Sequence, residues 1–138
     1  MKNKELVIEN FVHIASHVFI GAHMGVRLKS FSGLGHGVKI FTINDDYSGE
    51  SLTNPTTGKK FKKENKGKVT VGKHVNIGSN SIILPNIKIG DGASVGSSSL
   101  VNQNLKSWYI YFGAPCRPLL KRSKTILKLE KKFLKSIK

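Results

Sequence analysis

The chain has 138 residues, with 23 Lys and Arg against 8 Asp and Glu, a formal charge of +15 and a single cysteine. That length supports one compact domain or one short repeat array, and a lone cysteine excludes both an intrachain disulfide framework and multi-cysteine metal sites. No apolar run approaches the ~18–20 residues that cross a bilayer.

The opening residues, Met1 to Asn10, carry no apolar signal segment, so the expected compartment is the cytoplasm. The charge is localised. Residues 59–68 hold six lysines against Glu64, residues 117–138 hold nine basic residues against Glu130, and the remainder is nearly neutral. A nucleic-acid binder spreads its charge along one face and interleaves aromatics. One basic loop and one basic tail fit solvated surfaces or a small polyanionic ligand better, and nucleic acid is not an expected partner.

From residue 71 onward the pairs Val71-Gly72, Ile77-Gly78, Ile83-Leu84, Ile89-Gly90, Val95-Gly96 and Val101-Asn102 recur every six residues. Two positions before each stands an apolar or small residue: Val69, Val75, Ser81, Ile87, Ala93 and Ser99. The N-terminal half repeats more loosely, with Ile8, Ile14, Ile20, Val26, Ser32, Val38 and Asn44 in one phase. The step from Asn44 to Val71 is not a multiple of six, which marks residues 45–68 as a loop inserted between coils. Period six fits neither an amphipathic helix nor an ordinary strand. It fits short strands turning a corner every six residues around an aliphatic core, an all-β solenoid.

Past Leu105 the repeat stops. Trp108 to Phe112 reads as a short strand covering the open end of the solenoid, and Gly113-Ala114-Pro115-Cys116-Arg117 as a turn. Apolar residues 126, 129, 133 and 137, with lysines between them, predict an amphipathic C-terminal helix that Ser123 caps. Its lysines leave open a weak contact with a membrane surface.

These hexads and the Gly-Ala-Pro-Cys-Arg run resemble the hexapeptide-repeat acyltransferases, nearest to the galactoside, maltose and xenobiotic acetyltransferases and the polysaccharide sugar O-acetyltransferases. The resemblance covers residues 8–121. It implies a left-handed parallel β-helix over residues 1–112, a turn and helix over 113–138, and a homotrimer. With three hexads to a coil, residue n would stack above n − 18.

The resemblance also implies acetyl-coenzyme A as co-substrate, with no metal, and a saccharide acceptor. Ser79 and Ser97, Asn102, Arg117 and Lys121 match positions that line the coenzyme groove. The inserted loop would wall the acceptor site, with His23, Asp46 and Tyr47 in contact with the sugar. Asp45 falls where the family places its catalytic histidine. A carboxylate is the weaker base, unless repulsion from Asp46 raises one of the pair; the competing reading is an Asx turn. His36, read as a partly buried corner residue beside His17, and His23 are the alternative bases. His74 reads as an outward corner residue, and Cys116 has no neighbouring base to activate it.

The loop sequence Asp-Asp-Tyr-Ser-Gly-Glu favours direct O-acetylation of a sugar hydroxyl. The alternative is N-acetylation of an aminosugar or nucleotide-linked aminosugar, since a neutral amine needs less base assistance. A zinc enzyme of the γ-carbonic anhydrase type and a non-catalytic scaffold rank lower.

Overall fold

The computed structural model describes residues 5–138, so the first four residues of the predicted 1–112 unit lie outside the described residues. Short strands dominate: β1 (Leu6–Ile8), β2 (His13–Ile14), β3 (Phe19–Gly21), β4 (Val26–Leu28), β5 (Gly33–Leu34), β6 (Lys39–Phe41), β7 (Ile43–Asp45), β8 (Glu64–Lys66), β9 (Val69–Val71), β10 (Asn76–Ile77), β11 (Ile82–Ile83), β12 (Lys88–Ile89), β13 (Ser94–Val95) and β14 (Leu100–Val101). The chain closes with β15 (Tyr109–Gly113), β16 (Cys116–Lys121) and one helix, α1 (Thr125–Ser136). Among the described residues no helix is long and apolar enough to cross a membrane.

Successive strands enter three sheets in rotation. The first sheet is β1-β4-β9-β12, the second β2-β5-β10-β13-β15-β16 and the third β3-β6-β11-β14. All neighbours within them are parallel except β15 and β16. The strands of the inner turns point aliphatic side chains inward, and Leu28, Leu34, Ile40, Val71, Ile77, Ile83, Ile89 and Val101 are completely or almost completely buried. Val71, Ile77, Ile83, Ile89 and Val101 are the repeat positions of the C-terminal half, stacked as the hexads predict.

The stacking distance along the chain is not uniform. From Val71 to Val101 the expected offset of 18 holds, as in Ile77 beside Val95 and Ile82 beside Leu100. Between the first two turns the offset is 20: Ile8 pairs with Leu28, Ile14 with Leu34 and Ile20 with Ile40. The corner from Ile20 to Leu28 therefore holds two extra residues, and Leu28, Leu34 and Ile40 replace Val26, Ser32 and Val38 as the continuation of the Ile8 phase. Because Val26 and Leu28 are both apolar and both buried, hydrophobic periodicity does not separate the two phases.

At two of the three kinds of corner the chain turns through a residue with positive φ in every turn. At the corner leaving the second sheet these are His17, Gly37, Asn80 and Ser98; at the corner leaving the first sheet they are Phe11, Phe31, His74, Gly92 and Trp108. The second set forms an aromatic stack. Phe11 lies on Phe31 and Phe31 on His74, both with ring centroids 5.0 Å apart, and Phe133 of α1 meets Phe11 edge-on at 5.2 Å. His74 is thus buried rather than outward. It sits under the helix, with Nε2 3.5 Å from Glu130, which also pairs with Lys73 at 2.6 Å. Arg122 donates to the carbonyl oxygens of His74 and Gly92, tying the segment before α1 to the same corner.

The end of the chain differs from expectation in two further respects. Trp108 to Phe112 does not lie across the solenoid as a lid. β15 runs beside β13 as one more rung of the second sheet, with Tyr111 buried and Tyr109 packed on the core. The residues after the Gly113 turn form β16, antiparallel to β15, an edge strand that accommodates Pro118 where the register shifts. Ser123 does accept a hydrogen bond from the Thr125 N–H, but Lys124 occupies the cap position of α1.

The inserted segment leaves the third sheet after β6. β7 and β8 pair antiparallel, Ile43 opposite Lys66 and Asp45 opposite Glu64, and Gly67 N–H donates to Thr42 C=O beneath them. The insertion thus has a paired stem that begins at Ile43, two residues before the predicted boundary.

Candidate active site

The two edges of the third sheet collect the candidate residues. Along the edge shared with the second sheet, Ala15, Gly35, Gly78 and Gly96 stack as one column, each N–H donating to a carbonyl of the next turn. Parallel strands sit only ~4.8 Å apart, and here the packing leaves no room for a Cβ. One added at Gly35 would lie 2.8 Å from Ser79 N, one at Gly78 would lie 2.5 Å from Ser97 N, and at Gly96 it would strike the Phe112 ring. The result is a smooth ridge flanked by Ser16, His36, Ser79 and Ser97.

Arg117 extends this ridge. It stands opposite Phe112 in the β15–β16 pairing and spends one N–H on Cys116 C=O, at 3.0 Å. Its remaining N–H groups have no hydrogen bond within the described residues, as a guanidinium requires if it is to grip a phosphate. Lys121 stands opposite Tyr109, at the far end of the same pair of strands. Asn102 follows β14 and lies at the other edge of the third sheet. Of the five predicted coenzyme residues, Ser79, Ser97 and Arg117 come together, and Lys121 and Asn102 do not join them.

His36 is exposed rather than partly buried, and the offset of 20 sets it over Ser16 instead of beside His17. Its Nδ1 lies 2.7 Å from Ser16 Oγ. With Nδ1–H donating to that hydroxyl oxygen, the imidazole is fixed and Nε2 is the atom that accepts a proton, the arrangement a general base needs. Ser16 and Gly35 reach the ridge only in the corrected register, and Phe112 only because β15 is a rung of the second sheet rather than a lid, so the sequence does not single them out.

The opposite edge of the third sheet carries the loop. There the Thr42 hydroxyl is buried, donating to Gly21 C=O and accepting from Met24 N–H, which fixes the corner holding His23. Asp45 Oδ2 accepts from Asn54 N–H at 3.2 Å and Oδ1 lies 3.9 Å from Lys62 Nζ. Asp46 accepts from Ser48 N–H, Ser48 Oγ and Ser51 Oγ. Those hydrogen bonds, the Ser48 N–H foremost, hold its carboxyl below the ordinary value; the expected upward push from its neighbour is absent. Both carboxylates brace the loop. Burial raises the Cys116 thiol, which keeps it protonated and unreactive.

His36, Ser79, Ser97 and Arg117 therefore lie on one edge of the third sheet, and His23, Asp45, Asp46, Tyr47 and Asn102 on the other. Between them the sheet presents Phe19, Lys39, Ile82 and Leu100 in register. A groove of about 830 Å³ exists elsewhere, between the first sheet and α1. Its acidic side chains are already engaged, Glu9 with Arg27, Glu130 with Lys73 and Asp91 with the Lys73 N–H, and none of the ridge residues lines it.

The family described as bacterial transferase hexapeptide (six repeats) matches residues 68–103. A variant of AntD, an N-acyltransferase from Bacillus cereus solved with dTDP-4-amino-4,6-dideoxyglucose and coenzyme A, superposes with a TM-score of 0.93 at 38% identity, covering 96% of this chain and 72% of AntD. This chain belongs to the hexapeptide-repeat acyltransferases. Within that family it is 33% identical over 126 residues to a dTDP-4-amino-4,6-dideoxy-D-glucose acyltransferase of Escherichia coli, spanning 91% of this chain and 66% of that relative's length. A second AntD structure holds dTDP and 3-hydroxybutyryl-CoA, at the same TM-score and identity. The hexapeptide-repeat acetyltransferase VCA0836 of Vibrio cholerae, 18% identical with a TM-score of 0.73, shares the fold over 86% of this chain. Among the described residues no three His, Cys, Asp or Glu side chains gather as a metal-ligand set.

Proposed function

We propose that this chain transfers an acyl group from a coenzyme A thioester to the amine of a nucleotide-linked aminosugar. The observation that carries it is the Gly35-Gly78-Gly96 ridge, flanked by Ser79 and Ser97 and ending at the free guanidinium of Arg117. A narrow column without side chains suits a pantetheine arm, and a terminal arginine suits its phosphates. The acceptor reading changes from the sequence expectation: the relatives that name an acceptor name an amine, so N-acylation replaces the sugar hydroxyl as the first reading.

The coenzyme supplies the acyl group as an activated thioester. On the protein side, the N–H groups of Ser79 and Ser97, which unlike those of the glycines before them have no hydrogen-bond acceptor among the described residues, stand ready to steady a carbonyl oxygen as it gains charge, and His36, oriented by Ser16, takes the proton that the amine must lose. The amine nitrogen bonds to the acyl carbon, the carbon–sulfur bond breaks, and the proton passes through His36 to the departing sulfur. Asp45 and Asp46 shape the acceptor loop.

The two half-sites on opposite edges of the third sheet support a homotrimer of left-handed β-helices, in which the ridge of one copy faces the loop of the next. The test is direct. The protein is incubated with acetyl-coenzyme A or 3-hydroxybutyryl-coenzyme A and either dTDP-4-amino-4,6-dideoxyglucose or dTDP-glucose, with thiol release and product mass followed. Acylation of the amino compound alone is expected; acylation of the hydroxyl compound alone would restore the O-acetyl reading.

A further inference from the structure

The inserted loop carries a combination of residues that its own fold does not use. It is firmly built. Asp46 and Asp45 accept the hydrogen bonds described above, Asn54 accepts from Thr56 N–H, Thr57 Oγ1 donates to Thr53 C=O, and Leu52 N–H donates to Phe61 C=O at 2.9 Å. Lys62, its side chain only 11% exposed, lies inside this framework as the tie between Asp45 and Glu64. On this ordered frame Tyr47 is 81% and Phe61 61% exposed. Aromatic rings held that far into solvent by an ordered loop contribute nothing to the chain's own core. Beside Phe61 in sequence, Lys59, Lys60 and Lys63 are exposed and make no ion pair among the described residues. Lys63 is close enough to Asp46, the residue before Tyr47, to act on its carboxylate.

Exposed rings stack on planar bases, and free ammonium groups beside them pair with phosphates. That is the composition with which proteins grip nucleotides without needing a buried pocket. We propose that the inserted loop is a clamp for the pyrimidine nucleoside diphosphate of the acceptor, with Tyr47 and Phe61 contacting the base and Lys59, Lys60 and Lys63 the diphosphate. The inference rests on the nucleotide-linked acceptor proposed above. It also separates the lysines: Lys62 is a structural tie and its three neighbours bind ligand.

The experiment measures dTDP binding by calorimetry at low and high salt, for wild type, Tyr47→Ala/Phe61→Ala, Lys60→Ala/Lys63→Ala and a control pair on the helix, Lys131→Ala/Lys135→Ala. The aromatic pair should weaken dTDP about tenfold at both salts, as loss of base stacking does. The lysine pair should weaken it about tenfold at low salt, with the difference shrinking as salt rises. The helix pair should stay within about twofold of wild type, since those charges are remote from the clamp. Unchanged dTDP affinity in both loop variants, while wild type still acylates the nucleotide-linked amine, overturns the clamp and leaves the activity standing. Equal weakening in the helix pair overturns local pairing in favour of general attraction, and a change of oligomeric state in the aromatic pair reassigns those rings to a subunit contact. A wild type that binds no dTDP and acylates only free aminosugars removes the nucleotide acceptor itself.

Discussion

Replacing Gly78 with alanine tests the ridge where it comes nearest to the backbone of the next turn. The added Cβ would lie 2.5 Å from Ser97 N and 2.8 Å from both Gly96 C and Ser97 Cα. All three are backbone atoms of the next turn, so no side chain can swing aside and two rungs must separate locally. Overpacking of this kind costs about 1–3 kcal/mol. At this chain length each kcal/mol shifts the melting temperature by about 3 °C, so a loss of about 3–9 °C is expected at fixed protein concentration. Gly33 is the matched control. It also lies in the second sheet, but its added Cβ meets nothing closer than Asn76 Oδ1 at 3.8 Å. There alanine should be neutral or stabilise by up to about 1 kcal/mol, because glycine in a strand costs entropy. Thermal and urea unfolding of both variants decide the matter, with the urea slope checked for constancy. Equal stability of Gly78→Ala and Gly33→Ala would refute the claim that the ridge packs without room for a side chain.

Arg117→Ala should raise the KM for the acyl-coenzyme A about tenfold with kcat little changed, as loss of uniform binding does, and the difference should fade in high salt. His36→Ala should lower kcat about a hundredfold while Asp45→Asn and His23→Ala each cost less than about tenfold; three near-normal values would mean that the amine needs no side-chain base. The carboxyl of Glu130 is held below its ordinary value of 4.5, chiefly by Lys73 and then by His74. Its contribution to helix docking is therefore present above pH 4.5 and is lost as pH falls through the lower folded value. Trp108, the single tryptophan and within 5.7 Å of Lys124 at the start of α1, should report an acid transition by fluorescence that Glu130→Gln lacks at every pH.

The repeat, the sheets and the point of insertion were legible because period six is imposed by corners, and corners recur in sequence as Gly, Asn or Ser after an aliphatic residue. The register of the first turns was not. A strand such as Val26-Arg27-Leu28 buries two apolar residues two positions apart, so either can be taken as the repeat position and a slip of two leaves no trace. That slip hid the Ser16–His36 contact, the most suggestive pair on the ridge. His74 was misread for a different reason. Its corner would face solvent if α1 were absent, and no local pattern announces that Glu130 and Phe133 will cover it. β16 escaped notice because Leu119 and Leu120 remain 65% and 54% exposed and Pro118 argues against a strand anywhere but at an edge. For the loop carboxylates the sequence leaves the role open, since an Asx turn and a general base begin from the same residue type.

The insertion shows how such a rigid stack accommodates a loop of about two dozen residues, the proposed acceptor site. Within a sheet every backbone group is committed to the rungs on either side, so extra chain there would leave buried donors and acceptors without partners. At a corner the commitment is looser. Thr42 C=O and Gly67 N–H bond to each other across the stem, and above it the ladders resume as though nothing had intervened, Ile40 beside Ile83 and Leu28 beside Val71. The loop's internal hydrogen bonds then hold its shape without drawing on the core, which contains none of its residues. The proposed coenzyme ridge and acceptor loop consequently sit on opposite edges of one sheet, with no side-chain hydrogen bond between them among the described residues. Under the proposed clamp, changes in Tyr47, Lys60, Phe61 or Lys63 alter which acceptor is held without disturbing the glycine column, whereas a single methyl group on that column is felt by the turn above it.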